Sequence, residues 1–208
     1  MAAFQAALNL GAGIECDVRL SGSGSAVVFH DADLRRICDI ALDVEQTPAA
    51  LLTGQRLCGS DQYLPPLWRV LEVVAGRVPL LLELKTHTGN AAQLCNEVLL
   101  DLAPRSGPLG IMSFDPKVGR WLRRNAPHIR RGLVIGKDLS PVKRWLALVT
   151  AAPQFLAVHR ECLGRSWVAS IRKHMPVYCW TIRTAAERAQ AEVQADTLIW
   201  EGDGRPGN

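Results

Sequence analysis

The chain has 208 residues, 48% of them hydrophobic, and 24 basic against 20 acidic side chains, for a formal net charge of +4. This is the composition of an ordinary globular protein, with one domain as the default. The arginines are scattered as Arg35-Arg36, Arg123-Arg124 and Arg130-Arg131 and form no stripe with interleaved aromatics, so no nucleic-acid partner is expected. Arg123-Arg124 read as a solvated helix face and Arg130-Arg131 as a strand entry. No apolar run approaches the ~18 residues of a transmembrane segment. Met1-Ala2-Ala3-Phe4 runs into an amphipathic helix without the basic leader of a signal peptide. The six cysteines show no C-x-x-C pair, and Cys16, Cys95 and Cys179 fall inside strand or helix patterns, where buried thiols are common. Reduced cysteines and a cytoplasmic location are the expectation.

In chain order, residues 2–10 read as a helix with Phe4, Ala7 and Leu8 on one face and Gly11 beyond its end. Ile14-Glu15-Cys16-Asp17-Val18 and Val27-Val28-Phe29-His30-Asp31 read as strands. The link Ser21 to Ser25 is too short for a parallel crossover, so the two form a hairpin. Residues 31–66 read as irregular and polar, with Thr47-Pro48 and Gly59-Ser60-Asp61 as turn signals. That length favours a functional excursion over a simple connector. Leu67 to Val74 is helical in pattern, and Val78 to Lys85 is a nearly continuous apolar run, the mark of a strand buried on both faces.

Helices and strands then alternate. Helices are expected at about 90–102, Pro116 to Asn125, Pro141 to Thr150, Ser166 to His174 and Thr184 to Gln194. Strands are expected at Gly110 to Ser113, Arg131 to Ile135, Phe155 to Val158, Val177 to Trp180 and Thr197 to Trp200. Such regularity implies an α/β fold with a parallel sheet. With the second hairpin arm set aside as antiparallel, seven parallel strands remain, one short of the (β/α)8 count. The chain opens on a helix, so the absent strand is the first. The expected fold is a TIM-type (β/α)8 barrel missing its first strand, a single domain over 1–208 with a small insertion at about 31–66. An open doubly wound sheet is the runner-up, without a glycine-rich dinucleotide fingerprint to favour it.

The hairpin carries the chemistry. Glu15 and Asp17 share one face of their strand and Cys16 takes the other. Two carboxylates so placed repel each other, and a hard divalent cation with oxygen ligands is the simplest offset. The hairpin also folds His30 back beside Glu15. Glu83 and Lys85 share a face at the end of a strand, where a carboxylate in an apolar run needs a partner or a metal.

Together, Met1-Ala2-Ala3-Phe4, Gly13 to Val18, Phe29-His30-Asp31, Leu82-Glu83-Leu84-Lys85, Ser113-Phe114 and Trp180-Thr181 resemble the glycerophosphodiester phosphodiesterase family, almost from the first residue to the last. That family opens with a strand ending in His-Arg-Gly and a Pro-Glu-Asn stretch just before the Ala-Ala-Phe helix; this sequence begins at the helix. The resemblance implies one divalent cation, Mg²⁺ or Ca²⁺, on Glu15, Asp17 and Glu83. It implies Lys85 on a phosphate oxygen, Trp180 at the substrate, and a catalytic His30. A plain Glu83–Lys85 ion pair, a His30 merely bonded to Asp31 and a Trp180 packed in the core are the bland alternatives.

In enzymes of this kind two histidines exchange protons with the attacking and leaving oxygens of the phosphodiester. His30 matches the second, and the first would precede Met1. His87 and His159 sit near strand ends as candidate stand-ins, though such residues are more often simple loop positions. Ser113 reads as a strand-end cap.

The implied reaction is metal-dependent hydrolysis of a small-molecule glycerophosphodiester to glycerol 3-phosphate and an alcohol. The alternative is an inactive or weakly active metal- or phosphodiester-binding relative. The 208-residue form is expected to be an incomplete domain with weak activity, and its exposed strand edge to bring low solubility or a homodimer.

Overall fold

The structure, a computed structural model, describes residues 1–87, 89–103 and 106–207. It falls into two compact units, Met1–Ile111 and Met112–Asn208.

In the first unit, helix α1 (Ala2–Asn9) leads into strand β1 (Ile14–Leu20). Buried and half-buried residues alternate along β1, with Ile14, Cys16, Val18 and Leu20 on the buried side and Glu15, Asp17 and Arg19 on the other. Strand β2 (Ala26–Val28) returns antiparallel, with Val18 opposite Val28 and Leu20 opposite Ala26. The hairpin turn is pinned from outside: Gly22 N–H donates to the Thr47 carbonyl at 2.9 Å. A Cβ on Gly22 would lie 2.6 Å from the Gln46 carbonyl carbon, so only glycine permits that approach.

The segment after β2 departs from its polar, irregular reading. It holds two single-turn helices, α2 (Arg35–Cys38) and α3 (Ala49–Leu52). Leu34, Cys38, Val44, Leu52 and Leu64 form a buried cluster with Val27 and Phe29 of the hairpin. These apolar residues follow neither a 3.6 nor a 2 period, so no periodicity announces them. The segment returns beside β2, where Val27 bridges to Pro66 and Val28 N–H donates to the Pro65 carbonyl at 2.9 Å.

Helix α4 (Leu67–Val74) buries Leu67, Val70, Leu71 and Val74, a stripe at helical spacing. Strand β3 (Leu80–Leu84) follows and pairs parallel with β1, with Asp17 beside Glu83. Helix α5 (Ala91–Leu102) closes this unit's run of regular elements, and strand β4 (Leu109–Ser113) crosses the division between the units.

In the second unit, strands β5 (Arg130–Ile135), β6 (Phe155–His159), β7 (Val177–Ile182) and β8 (Thr197–Trp200) pair in sequence, each parallel to the next. Helices α6 (Pro116–Asn125), α7 (Pro141–Ala151), α8 (Ser166–Arg172) and α9 (Ala185–Glu192) precede or link them. Their starts are written in the chain. Asp115 accepts from Lys117 N–H at 2.9 Å and Thr184 from Glu187 N–H at 3.1 Å, and a proline opens both α6 and α7. Both units are thus built from the strand–helix alternation expected of an α/β barrel-type chain.

The packing of β5 on β6 allows a direct check. A Cβ on Gly132 would lie 2.3 Å from the Phe155 ring, which is buried and stacked on Tyr178 at 4.6 Å between centroids. Gly132→Ala is therefore expected to lower unfolding free energy by about 1–3 kcal/mol through overpacking. A loss under about 0.5 kcal/mol in urea melts, the range of an inconsequential surface change, would show that the ring moves aside freely.

Candidate active site

The parallel register of β1 and β3 assembles the site. It sets Glu83 beside Asp17 and Leu81 beside Glu15. One oxygen from each of Glu15, Asp17 and Glu83 lies within 4.8 Å of the others. Lys85 follows the end of β3, and its N–H continues the ladder by donating to the Val18 carbonyl at 2.9 Å. Its Nζ sits 3.1 Å from Asp17 Oδ1 and is ion-paired with Glu83 Oε1. The Glu83–Lys85 pair foreseen as a bland alternative is therefore present, but as part of a larger cluster and not in place of it.

Three carboxylates and one ammonium leave an excess of negative charge. Burial pushes the Glu15 carboxyl up to about 8, and the charges of Asp17 and Glu83 push the same way against Lys85. Burial also raises Glu83, with Lys85 opposing. For Lys85, burial alone would depress the pKa, but the carboxylates of Glu83 and Asp17 outweigh it and the ammonium is held above its ordinary range. Behind this face, burial raises the Cys16 thiol well above its usual value, so Cys16 is an inert packing residue.

The donor set fits a hard divalent cation. It offers three carboxylate oxygens within one ion's reach, more carboxylates than the ammonium of Lys85 matches.

His30 lies just beyond β2, two residues past Val28. The hairpin pairing runs out one residue before it, where Phe29 N–H donates to the Asp17 carbonyl at 3.0 Å. His30 is near enough to Glu83 for its charge to act on that carboxyl. Its Nδ1 lies 2.7 Å from Asp31 Oδ1, and the side chain is 63% exposed. Asp31 is gripped in turn by Arg36 at 2.7 and 3.0 Å, and this guanidinium, with help from His30, holds its carboxyl below the usual range. The contact with Asp31 thus coexists with proximity to the carboxylates.

Sequence reasoning passed over several residues here. Arg19 continues the Glu15–Asp17 face, and that period-two spacing was the signal available. Its Nε donates to the His30 carbonyl at 3.0 Å and its Nη1 lies 3.5 Å from Glu45 Oε1. Glu45 comes from the inserted segment and also accepts from Asn90 Nδ2 at 3.3 Å. No local pattern marks Glu45, Asn90 or the Asp31–Arg36 brace.

The candidate stand-ins have local occupations. His87 is exposed on the loop after β3, with Nδ1 3.8 Å from Glu45 Oε2. In the second unit, His159 Nδ1 accepts from Glu161 N–H at 3.2 Å, and burial lowers its pKa. Trp180 donates its indole N–H to the Ala157 carbonyl at 3.0 Å, and its ring meets Phe114 and His159 edge-on at 5.6 and 5.0 Å. Ser113 Oγ accepts from Asp115 N–H at 3.0 Å, as a strand-end cap does. No disulfide forms among the described residues. None of the described helices is long and apolar enough to cross a membrane.

Fold and site define an α/β protein that gathers a carboxylate cluster and a lysine where parallel pairing of two strands ends. The chain belongs to the glycerophosphoryl diester phosphodiesterase family, whose profile matches residues 1–200. It is 29% identical over 147 residues to a glycerophosphodiester phosphodiesterase of Caldanaerobacter subterraneus subsp. tengcongensis, a match that takes in 64% of this chain and 59% of that curated relative's length. Among solved structures, it is similar to an Oleispira antarctica phosphodiesterase in complex with the product sn-glycerol-3-phosphate. That likeness has a TM-score of 0.87 and 24% identity, and covers 96% of this chain and 85% of the other. A glycerophosphodiester phosphodiesterase from Thermotoga maritima is similar at a TM-score of 0.77 and 24% identity, over 96% and 86% of the two chains. These structural likenesses speak for the fold.

Proposed function

We propose that this chain hydrolyses glycerophosphodiesters to glycerol 3-phosphate and an alcohol, with one Mg²⁺ or Ca²⁺ held by Glu15, Asp17 and Glu83. The observation that carries this reading is the convergence of three carboxylate oxygens within 4.8 Å in a member of this family. When bound, the cation supplies positive charge that polarises the phosphoryl oxygens and orients the glycerol hydroxyl.

The chain's own residues do the rest. Lys85, held protonated by Asp17 and Glu83, offers a point charge to a phosphoryl oxygen and offsets negative charge developing in the transition state. The Asp31 carboxylate favours a proton on His30 Nδ1, which leaves Nε2 as the atom that takes and returns a proton. Arg36 fixes Asp31, and Arg19 holds the His30 backbone. Trp180 keeps the substrate role that the resemblance assigns it.

Release of glycerol 3-phosphate from glycerophosphocholine and glycerophosphoethanolamine, with Mg²⁺, with Ca²⁺ and with chelator, tests the proposal. Cation-dependent release supports it. Release that chelator leaves untouched removes the metal from the reading. No release from either substrate, alongside a cation-dependent melting temperature, makes the chain a binding relative. His30→Ala is expected to cut turnover by about 10²–10⁴-fold, the usual contribution of one acid–base group, and to leave the cation-induced rise in melting temperature intact. A variant with full turnover would return His30 to a structural role.

A further inference from the structure

Helix α7 is apolar on two faces. Ala147, Leu148 and Ala151 turn inward and pack on the core of β5, β6 and α8. On the opposite side Val142, Trp145, Leu146 and Val149 recur at i, i+3, i+4 and i+7 and are 75%, 64%, 57% and 56% exposed. This spacing makes one continuous stripe about two turns long. Isolated exposed apolar residues need no explanation, but four in register on one helix face mark an interaction surface.

Charge identifies what the stripe meets. Helices α6 and α7 together carry six basic residues and no acidic one. They pack side by side closely enough that a Cβ on Gly119 of α6 would lie 2.8 Å from the Ala151 Cβ of α7. Lys143 lies exposed beside the stripe, and Lys117, Arg120, Arg123 and Arg124 are exposed on the outer side of α6. Arg144, the sixth, is turned onto the Trp167 ring at 4.2 Å. An apolar stripe with an indole in it and cations along its flank is the pattern of a helix lying in a lipid–water interface, with its apolar residues among the acyl chains and its cations at anionic headgroups. A second copy of the chain fits poorly. A two-fold dimer through this face would set one cationic face against another.

We propose that the α6–α7 face docks this protein on anionic lipid surfaces, with α7 lying in the plane of the interface and Val142, Trp145, Leu146 and Val149 inserted. The tests are co-sedimentation with vesicles and quenching of tryptophan fluorescence by brominated lipid. The vesicles are phosphatidylcholine alone or an equimolar mixture with phosphatidylglycerol.

The protein is expected to bind the mixed vesicles at low salt, to leave them as salt rises, and to ignore phosphatidylcholine. Combined Arg120→Glu, Arg123→Glu and Arg124→Glu should weaken partitioning by about a hundredfold or more, since each basic residue near such a surface contributes about a fivefold factor. Combined Val142→Ser, Leu146→Ser and Val149→Ser should abolish binding, and Trp145→Phe should remove most of the quenchable signal. All seven positions are solvent-exposed, so melting temperatures and release of glycerol 3-phosphate from soluble substrate should match the parent protein. The proposal is overturned if the parent chain fails to bind the mixed vesicles, or if binding survives in both the charge-reversed and the serine variants. It is equally overturned if the stripe is covered by a second copy, seen as a dimer that the serine variant dissolves while the parent chain ignores vesicles.

Discussion

Lys85→Met is expected to lose phosphodiester turnover by about 10²–10³-fold, the loss that follows removal of one fixed positive or hydrogen-bonding group at a developing charge. Methionine has about the same length and apolar volume but no charge. The substitution therefore leaves Glu15, Asp17 and Glu83 within 4.8 Å of one another without the ammonium that pairs with two of them. Breaking a largely buried ion pair from one side costs about 3 kcal/mol, so the cation-free variant should melt well below the parent at pH 8. The deficit should shrink toward pH 5, because Glu15, pushed up to about 8 chiefly by burial, then takes up its proton and sheds its share of the repulsion. Added Mg²⁺ or Ca²⁺ should restore more stability to the variant than to the parent, since the cation substitutes for the missing ammonium. Unchanged melting in cation-free buffer at pH 8 would show that Lys85 is not the counter-charge. Unchanged turnover would remove it from the phosphate.

The second large effect is the dependence of both stability and cation affinity on pH. In the cation-free protein the Glu15 carboxyl sits at about 8 against an ordinary 4.5. A pKa raised by folding gives stability that is fully present below about 4.5, falls progressively as pH rises through the interval, and is gone above about 8. Glu83 contributes with the same sign. Lys85, raised above its ordinary 10.5, keeps its contribution through that whole window and loses it only at higher pH.

A cation that binds the carboxylate must displace the Glu15 proton, so affinity should climb by up to about tenfold per pH unit and level off above pH 8. Calorimetric titration at pH 6.5 in buffers of different ionisation enthalpy should report about one proton released per ion, and almost none at pH 9. Glu15→Gln, a neutral mimic of the protonated acid, should flatten both profiles and weaken binding. No proton release at pH 6.5 would mean that Glu15 does not meet the ion.

Much of this protein is written locally in its chain. The limits of α4 and α6 follow Pro66-Leu67 and Asp115-Pro116, where a proline or capping carboxylate starts the helix whatever lies around it. The shared face of Glu15 and Asp17 is a consequence of strand geometry alone, and so is the burial of Cys16 behind it. The apolar run of β3 announces a strand covered on both faces and makes its single carboxylate conspicuous. The candidate ligands, His30 and Lys85 could therefore be named from spacing and resemblance.

What remained hidden depends on contacts between residues far apart in the chain. The register that sets Glu83 beside Asp17 is a property of two strands, and so is the placement of Lys85 against both carboxylates. Glu45 lies 26 residues from Arg19 and 45 from Asn90, and nothing in its own neighbourhood marks it. The buried cluster of residues 34–64 has no period, because it packs around irregular backbone that follows no regular face. Helix α7 shows the limit most plainly. Its sequence is apolar on two sides, and local chemistry cannot choose which side goes inward. The choice falls to packing: small Ala151 admits Gly119 of α6 at close range, and Leu148 fills the space over β5 and β6. Val142, Trp145, Leu146 and Val149 are left facing out, and an exposed surface is a property of how the rest of the chain folds.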